Sequence, residues 1–116
     1  GDELRYRLRF TNTRPEAVKN VVFSNPVPKG LEYVTGSASV GAPDAAITFS
    51  IDGGKSYSAQ PMIEVVEAGK RREVPAPGAM YTHVRWTVPG LIKSGAQVNA
   101  EFRGELAGVP DSVNRP

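Results

Sequence analysis

At 116 residues the chain is long enough to bury one hydrophobic core without metal or disulfide staples, and a second domain is not expected. The absence of cysteine removes disulfides, thiolate catalysis and cysteine-based zinc or iron–sulfur sites. The formal charge of +2 comes from basic residues spread along the chain, which lends no support to nucleic-acid binding, while 12 Gly and 10 Pro point to many turns and few helices.

The first strand is the clearest. Leu4, Tyr6, Leu8 and Phe10 alternate with Arg5, Arg7, Arg9 and Thr11, the period-two pattern of a strand with one face in a core and one in water. Asn12-Thr13-Arg14-Pro15 ends it, because Asn bonds its own backbone and Pro offers no amide hydrogen. A second strand is predicted over residues 18–24, closed by Asn25-Pro26 and Pro28-Lys29-Gly30, and extended chain resumes over 31–34 before Thr35-Gly36. Residues 37–45 read as a short edge element and a loop, and 46–51 as a strand. Asp52-Gly53-Gly54-Lys55 is a hairpin signal, with Ser56-Tyr57-Ser58 starting the return strand. After Gln60-Pro61, residues 62–66 form another strand and Glu67-Ala68-Gly69-Lys70 a turn.

The run Lys70-Arg71-Arg72 is followed at once by Glu73 and lies between Gly69 and Pro75, so it reads as part of a solvated, proline-bearing loop over 71–79. Residues 81–88 are the next strand, with Thr82, Val84, Trp86 and Val88 on one face and His83, Arg85 and Thr87 on the other. Pro89-Gly90 and Ser94-Gly95 lead into the last strand, 96–106. There Val98, Ala100, Phe102 and Leu106 point inward and Gly104 marks a bulge. The domain is expected over 1–107 and a tail or linker over 108–116. No apolar run reaches the length of a membrane span or a signal-peptide core, so direct membrane insertion is not expected. An opening on Gly-Asp without methionine reads as a piece of a longer polypeptide.

Strand geometry puts Arg5, Arg7 and Arg9 on one face, a row able to hold a carboxylate or phosphate polymer. The competing reading is cross-strand ion pairing to Glu101 and Glu105, which share the outward parity of the last strand. The single histidine, His83, lies outward with no acid beside it in sequence, and a serine–histidine–aspartate group would need partners from across the fold. Glu64, Glu67 and Glu73 surround loops, without the large cleft that paired-carboxylate glycosidase chemistry requires. Tyr33, Tyr57 and Tyr81 are the tyrosines that could form a sugar-stacking row, whereas the parity of Trp86 with Val84 and Val88 assigns it to the core.

Seven or eight short strands with turn signals about every ten residues suggest an all-β, immunoglobulin-like antiparallel β-sandwich, which the irregular strand lengths and the loop over 71–79 suit better than the alternative of a barrel. The opening residues Gly1-Asp2, Tyr6, Asn12-Thr13, Asn20-Val21-Val22, Pro28-Lys29-Gly30-Leu31, Tyr33-Val34 and Gly36-Ser37 resemble the conserved-repeat domain of bacterial and archaeal surface proteins, domain of unknown function 11. Val84-Arg85-Trp86-Thr87-Val88, Leu91, Ser94-Gly95 and the alternation from Val98 to Phe102 resemble that family's last two strands, although Asn25 stands where the family usually has Asp. The stretch from Ser50 to Tyr57 also resembles the Asp-box of sialidases and other β-proteins. In that hairpin Asp52, Gly53 and Gly54 serve the turn itself, and Asp52 lacks the alternating oxygen ligands of a calcium loop.

The family resemblance implies tandem modules in secreted or wall-attached proteins and no catalytic residues. The expected function is therefore a non-catalytic structural or adhesion module, with a carbohydrate-binding module as the alternative, located outside the cell, on its surface or in the periplasm. No cofactor is expected. The expected partners are neighbouring domains of the same polypeptide, a protein or glycan ligand, and further copies joined weakly through open sheet edges.

Overall fold

The computed structural model describes residues 2–42 and 44–106, and the tail expected over 108–116 lies outside the described residues. Nine strands are described: β1 (Glu3–Thr11), β2 (Val21–Pro26), β3 (Leu31–Tyr33), β4 (Ser39–Val40), β5 (Ala46–Ser50), β6 (Met62–Glu67), β7 (Lys70–Pro75), β8 (His83–Val88) and β9 (Gln97–Leu106). A single 3-10 turn, η1 (Gly78–Met80), precedes β8. The protein is all-β, and its antiparallel strands form three sheets.

In the first sheet β9 is central, with β1 on one side and β3 and β4 on the other. The β1–β9 ladder runs without interruption from Glu3 opposite Glu105 to Thr11 opposite Gln97. Gly104 therefore marks no bulge. It stands where a Cβ would come within 3.3 Å of the Leu31 side chain, so glycine here permits the close approach of β3. Leu106, expected inward, is exposed at the end of the strand.

Between β3 and β4 the partner register slips, with Tyr33 opposite Gly104 but Ser39 already opposite Glu101. Three extra residues are accommodated by a turn at Gly36, whose φ is +82°. Ser37 repairs the interrupted ladder. Its hydroxyl accepts from the Arg103 amide at 2.9 Å and donates to the Arg103 carbonyl at 3.3 Å.

The second sheet runs β2-β8-β5. β2 begins at Val21 rather than at residue 18, because Val18 makes only an isolated bridge to Ile92. The alternation read for β8 holds, with Val84, Trp86 and Val88 buried. The return strand expected after Asp52 shrinks to one bridge, Phe49 with Ser58, closed by backbone hydrogen bonds of 2.8 and 2.9 Å.

Side chains of these two sheets meet in a common core. The fully buried Trp86 stacks on Phe23 at 5.5 Å between ring centroids and tilts against Phe102 at 6.2 Å. Its indole nitrogen donates to the Ser39 carbonyl at 3.1 Å, so a residue of the second sheet pins β4 of the first. Phe102 is equally buried, and removing such a ring costs on the order of 3–5 kcal/mol. A second cluster of Val88, Ile92 and Val98, flanked by Phe10, Val18 and Val21, fills the remaining core.

Residues 70–75, expected within a loop, are instead strand β7, paired with β6 in a hairpin of its own. The turn explains this. Ala68 and Gly69 both have positive φ, 51° and 79°, the two-residue geometry whose twist matches that of paired strands. Pro75 falls at the last rung, opposite Met62, where its missing amide hydrogen breaks no inner pair. The basic residues stay in water, and Arg72 contacts Glu67 at 3.0 Å.

Candidate functional site

The outer face of the first sheet collects the charged residues of β1 and β9. Because inward positions of both strands are apolar, parity forces Arg5, Arg7 and Arg9 outward beside Asn99, Glu101 and Arg103. Of the two expected acidic partners only Glu101 serves. It stands 3.8 Å from Nε of Arg5 and 3.7 Å from Nε of Arg7. Glu105 is opposite Glu3 in the register, and Glu3 is engaged by Arg103 at 2.8 Å. Arg9 donates from Nε to the side-chain oxygen of Asn99 at 3.3 Å.

One carboxylate is thus shared by two arginines at distances beyond hydrogen bonding, while the third arginine has a neutral partner. Such exposed pairs contribute only about 0–1 kcal/mol each. The face is open and furrowed. A depression of about 640 Å³ is lined by Arg7, Arg9, Ser39, Asn99 and Glu101 together with Leu8, Val40, Gly41 and Ala100, and another of about 490 Å³ by Glu3, Arg5, Arg7 and Arg103. They share Arg7. Arg103 and Asn99 could have been found from the parity of β9, but Ser39 could not, because its register depends on the turn at Gly36.

The second predicted site is the turn after β5. The Ser50 hydroxyl donates to Asp52 Oδ1 at 2.6 Å and accepts from the amides of Asp52 and Gly54. Oδ1 of Asp52 also accepts from the amides of Lys55 and Ser56, and Oδ2 from the Ser56 hydroxyl. These bonds, led by the two serine hydroxyls, hold the Asp52 carboxyl well below the usual carboxylate range. Gly53 donates its amide to the Thr82 hydroxyl at 3.1 Å, and Gly54 has a φ of +90° that a side chain would rarely adopt. Every hydrogen bond of the Asp52 carboxylate among the described residues closes its own turn.

The fold brings Ser50, Asp52 and His83 into one neighbourhood, which the sequence did not reveal. Ser50 faces His83 across the β5–β8 ladder. The hydrogen bonding, however, runs Ser50 to Asp52 and His83 to Thr82, the latter at 3.0 Å. The Thr82 hydroxyl also lies 3.2 Å from the Ser50 carbonyl and accepts from the Gly53 amide, so His83 Nδ1 is engaged by Thr82 and not by Ser50. Ser50 is buried and its oxygen engaged by two amides, the opposite of an exposed, base-activated nucleophile.

The tyrosines do not form a row. Tyr33 and Tyr81 stack on each other at 4.9 Å, Tyr33 within the core, and burial pushes the Tyr81 phenol up. Tyr57 lies over the Arg85 guanidinium at 3.9 Å. Among the described residues no three His, Asp or Glu side chains converge as a metal-holding group. Compared with protein-family models, curated proteins and solved structures, the chain matched none.

Proposed function

We propose that the chain is a non-catalytic, immunoglobulin-like β-sandwich module of a bacterial or archaeal surface protein, serving structure or adhesion beside neighbouring domains of its polypeptide. The wiring of Ser50, Asp52 and His83 carries the non-catalytic part of this reading. Residue types able to perform acyl transfer come together, yet their hydrogen bonds close a turn instead of activating a hydroxyl. Two sheets meeting around Trp86 and Phe102 support the sandwich, and the resemblance to the conserved-repeat domain supports a surface location.

The experiment is a pair of assays on the purified chain. It should sediment with cell-envelope fragments while turning over none of a panel of ester and glycoside substrates. Turnover by the wild type that disappears in Ser50→Ala or His83→Gln would overturn the reading. The carbohydrate-binding alternative draws support from the furrowed sheet face, where guanidinium, amide, hydroxyl and carboxylate groups stand together. It draws none from aromatic stacking, since Tyr33 and Tyr81 face each other.

A further inference from the structure

We propose that the outer face of the first sheet docks a carboxylated polysaccharide, with uronate groups on Arg5, Arg7 and Arg9 and sugar hydroxyls on Asn99, Ser39 and Glu101. This rests on the surface-module reading and names a ligand class for it.

The outer face carries Arg5, Arg7, Arg9 and Arg103 against Glu3, Glu32, Glu101 and Glu105, but the charges are segregated, because Glu3, Glu105 and Glu32 lie side by side at one end of the sheet. Arg5, Arg7 and Arg9 have one carboxylate among them, Glu101. In all three the intramolecular contact runs through Nε. The terminal nitrogens, which complete a two-pronged grip on a carboxylate, make no hydrogen bond among the described residues.

The arginine row is also extended. Alternate residues of a strand repeat every 6.6–6.8 Å or so, giving a straight row roughly 13 Å long. The two depressions of about 640 and 490 Å³ share Arg7; the smaller follows the row from Arg5 to Arg7, and the larger runs from Arg7 and Arg9 across β9 to β4. An extended chain with periodic charge fits such a row better than a compact anion does.

Polar groups of several kinds are mixed on this face. Glu101 is only 34% exposed in its side chain and stands among the arginines, where it needs hydrogen-bond donors. An inorganic polyphosphate chain offers it only acceptors and like charge. A uronate chain offers carboxylates to the arginines and hydroxyl donors to Glu101, with Ser39 and the Asn99 amide able to donate or accept. Hydrogen bonds to sugar hydroxyls then add selectivity to an attraction that salt screens.

Titration calorimetry with polygalacturonate, its fully methyl-esterified form and inorganic polyphosphate tests the proposal. The chain should bind polygalacturonate about tenfold more tightly than either of the others, a difference of about 1.4 kcal/mol. Its affinity should fall as salt rises. The double variant Arg7→Gln/Arg9→Gln should lose about tenfold in affinity, again about 1.4 kcal/mol, with an unchanged melting curve. Glu101→Gln should keep polygalacturonate binding and gain polyphosphate binding. Equal binding of polyphosphate and polygalacturonate by the wild type, no binding of polygalacturonate, or indifference to the double variant would each overturn the proposal. Release of reducing sugar from polygalacturonate would instead overturn the non-catalytic reading and leave the docking face standing.

Discussion

Asn12 ties three segments together from a buried position. Its side-chain nitrogen donates to the carbonyls of Glu16 and Ile92, both at 2.9 Å, and its oxygen accepts from the Arg14 amide at 2.9 Å. The bond to Arg14 is the local turn expected of Asn at a strand end, whereas the bond to Ile92 crosses to the loop before β9. Asn12→Ala leaves these partners unmatched in a buried place and should lower stability by about 2–4 kcal/mol in urea denaturation. A loss below about 1 kcal/mol would mean that water replaces the amide without penalty. Asp52 makes a prediction about pH. Its carboxyl is held below its usual value by Ser50 and Ser56, so its contribution is complete above about pH 4, the unfolded value, and is shed as pH falls below that. Asp52→Asn should melt lower than the wild type at neutral pH, and the gap should narrow on acidification. A gap independent of pH would count against it.

At the level of elements, the β6–β7 hairpin is the weakest unit, since its two strands pair only with each other. Ala68 holds a φ of 51°, where an L side chain is crowded at a cost of roughly 1–2 kcal/mol. Ala68→Gly should therefore slow amide exchange in β6 and β7 without moving the main melting transition; faster exchange would show that the turn is unstrained. The hairpin also shows why part of the fold was illegible. β1, β8 and β9 announce themselves because one face of each enters the core, so Tyr6, Trp86 and Phe102 alternate with charge. β7 has no such constraint, and Lys70, Arg71 and Arg72 read as a loop because both hairpin faces tolerate water. The Gly36 turn escaped for a different reason: a register slip leaves no mark on hydropathy. At the candidate site the arginine row followed from parity alone, while the charge balance around it did not. Glu105 has the right parity and the wrong height on the strand, facing Glu3.

At the scale of the whole molecule, the outer edge of β1 pairs with no other strand among the described residues. A nine-residue edge with unpaired amides recruits further strands, and its outward arginines oppose like-charged copies. We therefore expect weak self-association, seen as a sedimentation coefficient that rises with concentration and more so at high salt. A constant value across the series would show the edge to be closed. The same strand decides how the protein responds to tension. Glu3 faces Glu105, and the Leu106 amide donates to the Asp2 carbonyl at 3.0 Å, so the described chain enters and leaves at one end of the sheet. Force applied across residues 2 and 106 opens the β1–β9 ladder like a zipper, one rung at a time. Handles introduced as Thr11→Cys and Leu106→Cys would pull the two strands past each other and strain all rungs together. Single-molecule stretching should give a lower rupture force in the first geometry than in the second. A domain that unzips in this way extends at low force along the line joining its described ends, long before its core is strained.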